Sequence, residues 1–142
     1  MTDWKGDLES FFAEKDRQNK AYAEQRQNAE LQSASFLSNT VVPAFEEIQA
    51  ELEKYGREVK ISHLDQGVNI QISFNGSLEF DYWIKVDLNN LRPHPEIQLM
   101  VDEQKVLLEG TLRVGIDSFT IDDISKEEII SSFLSDYYAH IA

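Results

Sequence analysis

The chain has 142 residues, no cysteine, and 26 acidic against 13 basic side chains, a formal net charge of -13. Without cysteine there is no disulfide framework, no thiolate zinc site and no cysteine nucleophile. An excess of negative charge on this scale repels phosphate backbones and anionic lipid heads, so direct nucleic-acid or membrane binding is disfavoured.

The length suits one domain, 1–142, able to bury a core without metal. The opening MTDWKGDLESFF has no basic region followed by an apolar one, and no later segment is long enough to cross a bilayer, so a cytoplasmic protein is expected. From Ile61 onward 14 acidic residues face five basic ones, whereas the N-terminal arm is nearly balanced. Solubility is the plain meaning of that excess and a basic partner the sharper one.

In chain order, 3–37 is rich in Glu, Lys, Gln, Ala and Arg, which predicts a long helix or arm over 1–38. Trp4, Leu8, Phe11 and Phe12 form an apolar stripe at its start, while 13–32 has only Tyr22 and scattered alanines to bury. Such a helix either packs by its two ends or reaches another chain. Asn39 and Thr40 interrupt it, with Thr40 as expected N-cap of a second helix over 40–56 and Pro43 in its first turn. Val41, Phe45, Ile48, Leu52 and Tyr55 line one seam of that helix, and Gly56 ends it.

Period-two alternation governs 58–115 and predicts an antiparallel sheet. Val59, Ile61 and His63 face inward, then Val68, Ile70, Ile72 and Phe74, then Leu78, Phe80, Tyr82, Ile84 and Val86. A two-residue turn at Asn75-Gly76 would set inward Ile72 opposite outward Glu79. A three-residue loop through Ser77 is therefore expected, pairing Phe74 with Leu78, Ile72 with Phe80 and Ile70 with Tyr82. The proline-rich 87–95 reads as a loop. Ile97, Leu99, Val101, Val106, Leu108, Leu112 and Val114 continue the inward face, with a bulge expected at Gly110 and a short extra strand at 118–121.

The last helix, 125–141, has Ser125 as N-cap, Glu128 closing a capping box and Ile124 stapled to Ile129. Ile129, Ile130, Phe133, Leu134, Tyr137 and Ile141 give it an apolar face that must dock on the sheet. The expected fold is α+β: an antiparallel meander of about five strands flanked by two N-terminal helices and one C-terminal helix.

Three residues break the polar outer face of this sheet. Trp83, Met100 and Leu107 have outward parity, and pairing Val86 with Ile97 would place them in one row, with the makeup of an interface hot spot. The alternative is that the N-terminal helix lays Trp4, Leu8 and Phe11 over the row. A different site class is a pocket between the last helix and the sheet, lined by Tyr82, Tyr137, Tyr138 and His63.

His63, His94 and His140 share no metal spacing, and the partial calcium pattern at Asp87, Asn89 and Asn90 lacks its glycine and closing glutamate. Carboxylate pairs such as Glu79 with Asp81, or Asp122 with Asp123, read as solvated surface. No nucleophile elbow or phosphate loop occurs, and no metal or cofactor is implied.

The leading expectation is a non-enzymatic acidic protein-binding module, in a chaperone, immunity or adaptor-like role. It would use the outer sheet face or the N-terminal helix to meet another protein, basic or a second copy of itself. The alternatives are a small-ligand or enzymatic domain built on the tyrosine pocket, and an acidic mimic of nucleic acid.

Overall fold

A computed structural model describes residues 3–64, 66–88, 94–101, 104–111 and 121–141, the side chains of His94, 104–111 and Asp122 excepted. The side chains of Leu107 and of the last strand, the calcium-like positions Asn89 and Asn90, the loop at 89–93, the Asp122 carboxylate and the extra strand proposed at 118–121 (but for Ile121) lie outside the described residues. The elements are α1 (Trp4–Phe36), a π-helical turn (Leu37–Val41), α2 (Val42–Glu53), β1 (Glu58–Leu64), β2 (Gly67–Phe74), β3 (Ser77–Asp87), β4 (His94–Val101), β5 (Gln104–Thr111), a 3-10 turn (Ile121–Asp123) and α3 (Lys126–Ile141). The strands form one antiparallel meander in the order β1-β2-β3-β4-β5, an α+β fold with α3 packed on the sheet.

The helical part departs from the expected pair of helices. Phe36, Leu37, Val41 and Val42 all keep right-handed helical backbone angles, so α1 runs into α2 through the π turn, and Thr40 is not an N-cap. Proline explains the form of the junction. Pro43 has no N–H to donate and its ring crowds the carbonyl four residues back, so the ladder widens there, with the Val42 N–H donating to the Leu37 carbonyl. The seam of α2 buries Val41, Phe45 and Ile48 as expected, but Tyr55 is exposed. Gly56, at φ +79°, closes the helix: its N–H donates to the Glu53 carbonyl and that of Arg57 to the Leu52 carbonyl, the two bonds of a Schellman motif.

In the hairpin, the sheet body keeps the anticipated register, Ile72 with Phe80, Ile70 with Tyr82 and Ile61 with Ile70. The turn does not. Phe74 pairs with Ser77 and Ser73 with Leu78, so the loop has two residues, Asn75 at φ 53° and Gly76 at φ 81°, the left-handed pair of a type I′ turn. The parity conflict is absorbed instead by a bulge that inserts Glu79 into β3. Phe74 is consequently not interior but 38% exposed, with the Arg57 guanidinium 4.1 Å from its ring centre. On the far side of β3, Val86 pairs with Pro95 and not with Ile97, two residues from the expected register. Gly110 is paired with Ile97, and the irregularity between β4 and β5 falls between Leu99 and Val101.

The core is an aromatic interlock. Phe133 of α3 meets Tyr82 at 5.1 Å and Phe80 at 5.5 Å, both edge-on, and Tyr137 meets Phe80 edge-on at 5.5 Å. Phe45 of α2 approaches Tyr82 and Phe133 at 6.2 and 6.3 Å. The Ser125 Oγ accepts from the Glu128 N–H at 3.2 Å and Ile124 and Ile129 are both buried, so α3 starts where its cap residues place it. Ile121 of the 3-10 turn is buried too, and this turn packs beneath the end of α1, where Ala29, Ser33 and Phe36 are buried.

Two stability measurements follow from this packing. Phe133→Ala removes the ring shared by α2, β3 and α3 and is expected to lower the urea unfolding free energy by about 4 kcal/mol, with an unchanged m-value. A Cβ at Gly76 meets nothing within 4 Å. Gly76→Ala therefore costs only its left-handed backbone angle, about 1 kcal/mol in the same assay, and a larger loss would point to a contact the turn does not have.

Candidate functional site

A groove of about 810 Å³ lies between α2 and α3. Its walls are Ile48 and Leu52 on α2 and Ile130, Leu134 and Ile141 on α3, with Tyr137 and Tyr138 toward one end and Glu47 and Glu51 on the α2 rim. The groove exists because the apolar residues of α3 span an arc of about 140° at 100° per residue, wider than one contact row. Ile129, Phe133 and Tyr137 are spent on the sheet. Ile130, Leu134 and Ile141 form a second row that stays half-exposed beside α2. That excess width was a signal present in the sequence.

A polar cluster closes one end. The bulged Glu79 turns its carboxylate to the helix side, where the Tyr137 hydroxyl donates to Oε1. Arg57 Nε and Nη2 donate to Oε1 and Oε2 at 3.4 and 3.3 Å, and Nη1 donates to the Tyr55 carbonyl at 3.1 Å. Glu79 holds Arg57 above its ordinary range, and burial followed by the Glu79 contact pushes the Tyr137 phenol up to about 12. Each partner is occupied by another member of the cluster, so the chemistry is that of a clamp joining α2's end, β3 and α3. The expectation of a solvated Glu79 on the outer face is corrected: the bulge, invisible to strict alternation, moved it.

The outer face is also more closed than its polar composition suggests. Asp81 and Asn69 are buried. The Asn69 amide donates to Asp81 Oδ1 and, at 3.2 Å, to the Tyr82 carbonyl, while Gln71 donates to Asp81 Oδ2 at 3.3 Å. Trp83 is half-buried, opposite Asn69 and Gln98, with the Lys85 ammonium 5.1 Å from its ring centre. Met100 stands opposite Asp81, so it is a diagonal neighbour of Trp83 and not its partner in a row. The N-terminal helix does not cover this face. Trp4, Leu8, Phe11 and Phe12 remain 62, 47, 59 and 55% exposed.

Of the four residues of the alternative pocket, Tyr137 and Tyr138 both line the α2–α3 groove, whereas Tyr82 and His63 lie apart from it. Tyr82 is fully buried in the aromatic interlock between α3 and β3, and Tyr137 is buried in the same cluster. Tyr138 and His63 are exposed, on α3 and the edge strand β1. The Tyr82 hydroxyl lies 3.2 Å from Ser132 Oγ, and burial raises both this phenol and the neighbouring Asp136 carboxyl.

These shifts set a sign for the alkaline limb of stability. Tyr137 moves from 10.0 to about 12, so the folded chain holds that proton more tightly than the unfolded one. Its contribution is intact below pH 10.0 and is lost as pH rises toward about 12, and Tyr82 adds to the same fall. Urea titrations across this window are expected to show a shallower decline for Tyr137→Phe than for wild type. Equal slopes would remove Tyr137 as a source.

Among the described residues no helix is long and apolar enough to cross a membrane, and no group of three or more His, Asp or Glu side chains is placed to hold a metal ion. Comparison with protein-family models, with curated proteins and with solved structures found no match.

Proposed function

We propose that this chain is a non-enzymatic protein-binding module that presents its N-terminal helix to another protein. One observation carries the reading: along 4–28 every side-chain position except Gly6 is exposed, and this stretch carries Trp4, Leu8, Phe11 and Phe12. Helix propensity and exposed pairs such as Glu14 with Arg17 and Arg26 with Glu30 hold this stretch without tertiary packing, so its apolar side chains stay in water. A partner that buries the four apolar side chains removes them from water, and aromatic residues gathered at one end of an arm match the composition of interface hot spots. Phe11 and Phe12 already pack edge-on at 5.2 Å, which pre-arranges part of that surface.

The arm is preferred to the outer sheet face because Trp83 is half-buried beneath Lys85 and has less surface left to remove from water. The interior gives further support. Rings pack between α3 and β3, and the Arg57, Glu79 and Tyr137 groups satisfy one another.

Amine-reactive crosslinking at native concentration in cell extract, followed by peptide mapping, tests the reading. Lys5, Lys15 and Lys20 are expected to link to a separate polypeptide, another protein or a second copy. The variant Trp4→Ser, Leu8→Ser, Phe11→Ser should lose those links while keeping the wild-type far-UV circular dichroism, because these side chains do not pack on the body. Arm lysines that link to no other polypeptide would overturn it.

A further inference from the structure

The exposed arm and the open groove belong to the same chain, and their shapes are reciprocal. Taking 100° per residue, Trp4, Leu8, Phe11, Tyr22, Ala29, Ser33 and Phe36 fall within about 40° of one line along α1. The last three of these are buried on the chain's own body and the first four are exposed. The face that packs on one body thus continues, uncovered, past its edge. Because α1 and α2 form one helical run, the arm extends about 37 Å from the body as a rod and not as a hinged tail.

We propose, on the basis of the binding role assigned to the arm, that its occupant is a second copy of this chain. Two rods lie antiparallel about a twofold axis, and the arm of each fills the α2–α3 groove of the other. Setting the Trp4-to-Phe12 end beside the Ile48-to-Tyr55 end of the partner puts the axis beside Ala29 and Glu30. Both contacts then form at once, as closed twofold symmetry requires. The groove offers Ile48, Leu52, Ile130 and Leu134 to the incoming rings. Lys15 lies on the same line of the arm one turn past Phe11, and the antiparallel register carries it to within about a turn of Glu47 on the groove rim, whose carboxylate also accepts from the Lys126 ammonium of its own chain at 2.9 Å.

The area is adequate. At the exposures observed, Trp4, Leu8, Phe11 and Phe12 expose about 500 Å² per arm, and two arms with the smaller surface of their two grooves remove about 1,400 Å² from water, within the range of standard stable interfaces. An apolar groove left open in the single chain and an apolar stripe left open on its arm are both covered by the one operation.

Size exclusion with light scattering tests this on the full chain. Wild type is expected at twice the 16.4 kDa of one chain. Leu8→Glu with Phe11→Glu, and separately Leu134→Glu, should each shift it to one copy with far-UV circular dichroism retained. The chain has no cysteine, so a disulfide trap is unambiguous. Leu8→Cys and Leu52→Cys chains, mixed and oxidised, should yield a covalent dimer joined between those two positions, and this readout holds even if the groove glutamate disturbs folding. A single-copy mass at every concentration, a dimer untouched by the arm variant, or no bridge between these positions would overturn the proposal. Arm crosslinks to a different polypeptide would sink the second copy as occupant and leave the binding role standing, whereas arm lysines that link to nothing remove both.

Discussion

The structure depends on one set of contacts, the edge-on packing of Phe133 and Tyr137 on Phe80 and Tyr82, with Phe45 closing the cluster from α2. Edge-to-face rings constrain direction as well as distance, so they fix the rotation of α3 about its axis and not only its height above the sheet. That rotation decides which apolar residues are left over. With Phe133 and Tyr137 turned to β3, Ile130, Leu134 and Ile141 necessarily face α2, and the groove follows from the core.

A second constraint acts at the hairpin. Asn75-Gly76 adopts the two-residue turn its residue types favour, while the alternation of β3 requires Phe80 and Tyr82 to stay inside. Both demands are met by inserting Glu79 as a bulge. The insertion also has a structural use, since the displaced carboxylate joins Arg57, just past α2, to Tyr137 on α3. A three-residue loop satisfies the same parity on paper. It loses because the type I′ turn matches strand twist and because the displaced carboxylate finds a guanidinium and a phenol within reach.

The rod formed by α1, the π turn and α2 links the core to the proposed role. An N-cap at Thr40 would have separated two helices and let the first fold back over Trp83. Continuous helix removes that freedom, since folding back needs non-helical residues, and the π turn accommodates Pro43 without breaking the axis. The apolar end of the arm is thereby held away from the body, with its aromatic residues in water.

Read alone, the residues of this chain determined whatever depends on local period and local caps. The strand alternation, the inward sets at Ile70, Ile72, Phe80 and Tyr82, the Ser125 cap and the Gly56 stop are all consequences of neighbours along the chain, and they stand in the fold. Tertiary structure decided what depends on two competing local rules or on the surplus of one surface over another. The Glu79 bulge, the two-residue shift that separates Trp83 from Met100, the uninterrupted rod and the α2–α3 groove are of this kind. The reason is physical: alternation fixes the face on which a side chain lies, but register, bulges and leftover apolar rows are settled by which partner surfaces are available to cover it.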